Sequence, residues 1–135
     1  MSLVKLLPAW FHAVADYAVG ILLIVVALVN DGSAGATATG VVVGAVVLLV
    51  SALTRYPLGI VKMLPFPVHS GGDYLAAALL IAAPFALNFA DAEGGMAAFY
   101  VVMGVAVLAV SLVTNYQYSP KRRGEGVSSA RPVTA

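Results

Sequence analysis

The chain contains no cysteine. That absence removes disulfides, thiolate metal centres, Cys-attached haem and thiol redox chemistry together, and leaves the redox compartment open. Charge is almost as scarce, at 10% Asp, Glu, Lys and Arg, where a soluble domain carries about 25%. There are only two histidines and one tryptophan. No Ser-His-Asp arrangement, phosphate-cradling glycine loop or nucleotide fingerprint occurs, so no catalytic residue is assigned. The net charge of +1 gives no electrostatic footprint for nucleic acid.

What the chain has is apolar sequence. Its 135 residues are 61% hydrophobic, with a mean hydropathy of +0.99. A soluble domain of that length could not hide so much apolar surface, and a bilayer removes the need. Four stretches stand out, roughly Pro8 to Asn30, Ala36 to Thr54, Pro67 to Phe89 and Gly95 to Tyr116. Each is near the about 20 residues that cross a hydrocarbon core about 30 Å thick. A segment in lipid must satisfy its own backbone hydrogen bonds, so helix is expected for all four.

The breaks are punctuated by Asn30-Asp31-Gly32-Ser33 and by Asp91-Ala92-Glu93-Gly94-Gly95. Pro8, and Pro65 or Pro67, stand where a helix start accepts proline. Pro84 predicts a kink near the far end of the third helix. Lys5 before an apolar run and Ala36-Thr37-Ala38 imitate a signal peptide. The run is longer than a signal core of about 7–15 residues, and it contains His12 and Asp16, so it reads as a retained helix. Residues 1–118 form the expected transmembrane domain, and residues 119–135 a disordered basic cytoplasmic tail.

All seven Lys and Arg fall on one side of these spans. Lys5 precedes the first; Arg55 and Lys62 lie between the second and third; Lys121, Arg122, Arg123 and Arg131 follow the fourth. The other two connections carry Asp31, Asp91 and Glu93. The positive-inside rule puts both termini in the cytoplasm.

The two halves align. Leu7-Pro8, His12 and Asp16-Tyr17 match Leu64-Pro65, His69 and Asp73-Tyr74 in register. Val41-Val42-Val43-Gly44 matches Val101-Val102-Met103-Gly104, and Ser51, Thr54 and Tyr56 match Ser111, Thr114 and Tyr116. Apolar sequence yields chance matches of Val and Leu, but not of His, Asp, Tyr, Pro, Gly and Thr in order. The expected fold is therefore all-α: four transmembrane helices from two tandem helical hairpins, residues 7–56 and 64–116. An even number of helices per copy relates them by a pseudo-twofold axis along the membrane normal.

The string Tyr56-Pro57-Leu58-Gly59-Ile60-Val61-Lys62-Met63-Leu64-Pro65, then His69 and Asp73, then a helix ending Ala83-Pro84-Phe85, resembles the SPW-repeat family of small bacterial membrane proteins. The first copy has Val26-Ala27-Leu28 at the aligned place. The resemblance spans about residues 5–118 and implies tandem helical hairpins in the bacterial cytoplasmic (inner) membrane. It implies no activity.

His12 and Asp16 are four apart, as are His69 and Asp73, so each pair shares a helix face. A carboxylate at a helix centre costs about 2.5–3.5 kcal/mol on insertion scales, somewhat less nearer the interface. Such groups are expected to face the protein interior and find partners there. Arg55, at the end of the second helix, is the expected cationic partner of the cluster. On this reading the cluster docks the hairpins, since apolar burial cannot drive association in lipid. Other readings of His12, Asp16, His69 and Asp73 are a proton or ion path, a zinc or manganese site, and bis-imidazole haem between His12 and His69. Tyr17 and Tyr74 are expected on a different face. Trp10, Phe11, Tyr56, Tyr116 and Tyr118 read as an aromatic belt. Gly40, Gly44 and Gly104 read as close helix contacts, and Lys121, Arg122 and Arg123 as a topology signal that also suits anionic lipid.

The function expected from sequence is a small structural or accessory integral membrane protein, without a required cofactor. Its partners would be the lipid bilayer, other membrane-protein subunits or itself. The alternative is a protein that uses the His–Asp cluster to carry protons, ions, a metal or haem.

Overall fold

The computed structural model describes residues 6–114. Lys5, Tyr116, Tyr118, Lys121, Arg122, Arg123, Arg131 and the expected disordered tail lie outside the described residues. The structure is all-helical, with α1 Ala9–Val29, α2 Ala34–Leu53, α3 Phe66–Ala86 and α4 Gly94–Val113.

Helix ends follow local chemistry. Pro8 and Pro65 hold extended conformations, ψ 156° and 139°, directly before α1 and α3. Pro67 adds a preset φ in the first turn of α3. Ser33 caps α2, its hydroxyl accepting from the Ala36 N–H at 3.3 Å. Asp31 (φ 45°) and Asn88 (φ 56°) turn the chain in the left-handed region that Asp and Asn tolerate better than most residues. The third helix stops at Ala86, three residues before the expected Phe89. Beyond it the Phe89 and Ala90 N–H groups fold back onto the Pro84 carbonyl, at 3.0 Å each.

The link between α2 and α3 is more ordered than its composition suggests. A helix leaves its last carbonyls without intrahelical partners. Ile60 and Val61 donate to the Ala52 carbonyl, and Met63 and Leu64 to that of Leu53, all at 2.8–3.0 Å. At the end of α4, Leu6 and Leu7 donate to the Val113 carbonyl, both at 2.9 Å.

Packing is densest within hairpins, α1 on α2 and α3 on α4. Gly44 and Gly104 allow it, as expected from sequence. A Cβ on Gly44 would stand 2.7 Å from the Gly20 carbonyl oxygen, and one on Gly104 2.9 Å from that of Ala77. Both distances press on backbone, which cannot move aside cheaply. Between hairpins, α2 meets α3, but no Cα of α1 comes within 8 Å of one in α3. Leu23, Val43, Ala76, Leu80, Met96 and Tyr100 form an apolar core in the half of the bundle near the α1–α2 and α3–α4 turns. Tyr100 ties α4 to α2 by donating to the Ala36 carbonyl. At the turns, the Ser33 N–H (2.9 Å) and hydroxyl both donate to the Glu93 carboxylate, linking the two hairpins.

Three helices, α1, α2 and α4, are long and apolar enough to cross a membrane. Their outward faces are apolar too: Ile21, Val25, Val42, Leu49, Val102 and Val105 are all exposed. A soluble protein seldom leaves that much contiguous apolar surface uncovered.

Candidate functional site

His12 lies in the first turn of α1 and Asp16 one turn later; His69 and Asp73 repeat that placement on α3. At about 1.5 Å per residue the carboxylates sit about two turns inside their helices. All four side chains turn inward. His12 is 1% exposed, His69 2%, Asp16 8% and Asp73 7%.

They converge as one quartet. Nε2 of His12 is 3.3 Å from the Asp16 carboxylate on its own helix and 3.0 Å from that of Asp73 on α3. Nε2 of His69 is 3.0 Å from Asp73 and 3.0 Å from Asp16. Each histidine therefore meets both acids, and each acid both histidines, through separate carboxylate oxygens. The expectation that each acid would find its own histidine holds, and the crossed pairs go beyond it. They span α1 and α3, whose backbones stay apart.

The other ring nitrogens are held just as definitely. Nδ1 of His69 is 2.7 Å from the Thr54 hydroxyl, and Nδ1 of His12 is 2.8 Å from that of Thr114. Both threonines cap their helices and donate their single hydroxyl proton to a carbonyl one turn back, Val50 and Val110, at 2.6 Å each. A hydroxyl whose proton is committed can only accept from the imidazole. Nδ1 is thus the protonated nitrogen in both rings. With Nδ1–H in place, each Nε2 carries either a second proton or a lone pair aimed at two carboxylates. The proton makes two imidazolium ions against two carboxylates, a neutral set of charge-assisted contacts.

Tyr56 closes one side. It is fully buried and donates to Asp16 at 3.2 Å. Burial, and then the Asp16 carboxylate beside it, push the Tyr56 phenol well above its usual range, so it remains a donor. The buried Phe66 ring packs edge-on to His12 at 5.4 Å and to His69 at 5.8 Å.

Two expectations are corrected. Arg55 is not the cluster's cationic partner. Its backbone N–H pairs with Leu64, its guanidinium Nε donates to the Lys62 carbonyl at 3.0 Å, and the side chain is exposed. The two imidazoles, and not Arg55, are what meet the carboxylates. Tyr56 does not belong to an aromatic belt, because it points into the bundle and meets an acid. Trp10 and Phe11 are exposed, at 56% and 42%, as belt residues are. Tyr17 leaves the quartet, donating instead to the Leu58 carbonyl at 2.9 Å. Thr54, Thr114 and Phe66 were missed as site residues. The signal for the threonines was present, in the Ser-x-x-Thr string at 51–54 and again at 111–114.

Geometry also limits the chemistry. The His12 and His69 ring centroids are 5.6 Å apart at 75°, with carboxylates against both Nε2 atoms, which leaves no slot for a porphyrin. Leu23, Leu80, Val43 and Tyr100 fill the bundle beyond the quartet, so no chain of polar side chains crosses it among the described residues. A cavity of about 40 Å³ opens against His12 and Asp16, lined on its far side by Val107, Val110 and Ser111 of α4. A roomier one of about 350 Å³, between α2 and α3, is apolar and lies away from the quartet. Against protein-family models, curated proteins and solved structures, this chain finds no match.

Proposed function

We propose that this protein is a small structural or accessory integral membrane protein. Its His–Asp quartet is the polar joint that holds two helical hairpins together. The observation that carries this reading is the crossed contact of each imidazole with both carboxylates, between helices whose Cα atoms stay more than 8 Å apart. In lipid, apolar side chains gain nothing by leaving the acyl chains for each other, so polar contacts and close packing decide which helices associate.

Four spans are part of the proposal. The polar residues that lower the hydropathy of α3 include His69, Ser70 and Asp73, and all three are buried, while Val68, Leu75, Leu79 and Phe85 face outward. The exterior of α3 is therefore as suited to lipid as that of its neighbours. A tandem duplication related by a twofold axis is supported by matched details. His12 meets Thr114 as His69 meets Thr54, and Leu6 and Leu7 meet Val113 as Met63 and Leu64 meet Leu53. The SPW-repeat resemblance agrees with that architecture and with a bacterial inner membrane. The one-sided Lys and Arg put both termini in the cytoplasm.

Reporter fusions test the topology. Fusions within residues 30–35 and 90–93 are expected on one side, and fusions within 57–62 and at Ala135 on the other. Reporters at 57–62 and 90–93 on the same side would remove α3 as a span.

The joint is tested by cutting the chain between Val61 and Lys62 and co-expressing the halves. The native hairpins are expected to co-purify in mild detergent. Halves carrying Asp16→Leu and Asp73→Leu are expected to separate. Leucine halves that co-purify as well as native ones would refute the joint.

A further inference from the structure

We infer that the quartet is also a divalent transition-metal site of the zinc class. The inference rests on the same quartet as the proposed joint and names a ligand for it.

Three observations converge. The first is the donor set. One ligand atom from each of His12, Asp16, His69 and Asp73 can be chosen so that all four lie within 4.8 Å of one another, and all four residues are buried. The nitrogen–oxygen contacts among them are 3.0–3.3 Å. Zinc bonds of about 2.0–2.1 Å in a tetrahedron give edges of about 3.3 Å. With one oxygen taken from each acid, two of the six edges already stand at 3.0–3.3 Å, and binding would draw the remaining donors together from within 4.8 Å. Two imidazoles with two carboxylates suit zinc, while magnesium and calcium favour all-oxygen sets.

The second is the tautomer. The Thr54 and Thr114 hydroxyls, each committed to a carbonyl, leave Nδ1 as the protonated nitrogen of both rings. Metal-bound histidines are held in this way, with one ring N–H donated to a fixed acceptor and the other nitrogen aimed at the ion. Here both Nε2 atoms face the carboxylates.

The third is charge. Two neutral imidazoles, two carboxylates and one divalent cation sum to zero. A divalent ion therefore neutralises the buried carboxylates, whereas a monovalent ion would leave the site negative. Tyr56 donates to Asp16, and the Tyr17 and Tyr74 phenols stand close enough to Asp16 and Asp73 to feel their charge. Thr54, Thr114, Ser51 and Ser111 are uncharged. The cavity beside His12 and Asp16 is large enough for a water molecule, and so for a small ion to reach the donors.

The test uses the full chain, purified without a histidine tag, stripped with chelator in detergent, and titrated with zinc alone. One zinc per chain is expected, read from the binding heat. Thr114→Val leaves all four donors in place, removes the outer partner of His12 together with the hydroxyl's bond to the Val110 carbonyl, and should weaken binding about 10–100-fold. Asp73→Asn and His69→Gln should weaken it further, with unchanged far-ultraviolet circular dichroism showing that the variants still fold. Zinc absent at stoichiometric level, or bound equally by Asp73→Asn, would overturn the inference. None of those results touches the joint, which stands or falls on the separation of the leucine-substituted halves.

Discussion

Asp73→Leu is expected to lower the stability of the bundle by about 3–5 kcal/mol, the usual loss when one member of a buried ion pair is removed. The physical reason lies in the crossed contacts. Leucine takes the carboxylate from His12 at 3.0 Å and from His69 at 3.0 Å in one change. Asp16 is then left to face both buried imidazoles. Asp73→Asn has a different consequence. The amide removes the charge, so one imidazole gives up its second proton and its Nε2 becomes an acceptor, which the asparagine NH2 can satisfy. The expected loss is about 1 kcal/mol, the net value of an ordinary hydrogen bond. Thermal unfolding in detergent, followed by circular dichroism, compares the two. Equal losses for leucine and asparagine would mean that side-chain volume at position 73, and not its polarity, is what the bundle uses.

Thr114→Val should lower stability by about 1–3 kcal/mol, because it leaves the buried Nδ1–H of His12 without its acceptor. Valine keeps the shape of threonine, so packing is preserved and the change isolates the hydroxyl. Thr54→Val should act in the same direction through His69. Thr54→Ser and Thr114→Ser retain the hydroxyl and should recover most of the loss. Valine and serine variants with equal unfolding temperatures would contradict the hydrogen-bond account of the tautomer. The threonines also hold the last turns of α2 and α4 through Val50 and Val110, so their effect is felt by both the helix ends and the quartet.

The helices were legible in the sequence because their signal is crude and strong: runs near 20 apolar residues, bounded by Asn-Asp-Gly-Ser and by Glu-Gly-Gly. The start of α3 was legible from its prolines; its end was not. Phe89 continues the apolar run, but the chain leaves the helix at Leu87 and turns through Asn88, so composition and backbone part company there. The four members of the quartet were legible for an energetic reason, since buried acids in lipid need partners and His-x-x-x-Asp supplies one on the same face. The crossing between α1 and α3 was not legible, because spacing along one helix says nothing of a second. Arg55 was misread for a related reason. Proximity in sequence to the end of α2 suggested reach toward the acids, but the compact 54–65 link turns its side chain onto the Lys62 carbonyl. Tyr56, one residue on, turns the other way and takes the inward place.

The central claim is that the quartet couples one hairpin to the other, and a double-mutant cycle between His12 and Asp73 tests it most directly. The two residues lie on different hairpins and meet at 3.0 Å. His12→Ala, Asp73→Ala and the double variant are unfolded in the same detergent, and the excess over additivity is the coupling. The account predicts at least about 1 kcal/mol, within the range found for residues of one ion-pair network. Additivity to within about 0.5 kcal/mol would show that the two side chains act independently, and would contradict the account.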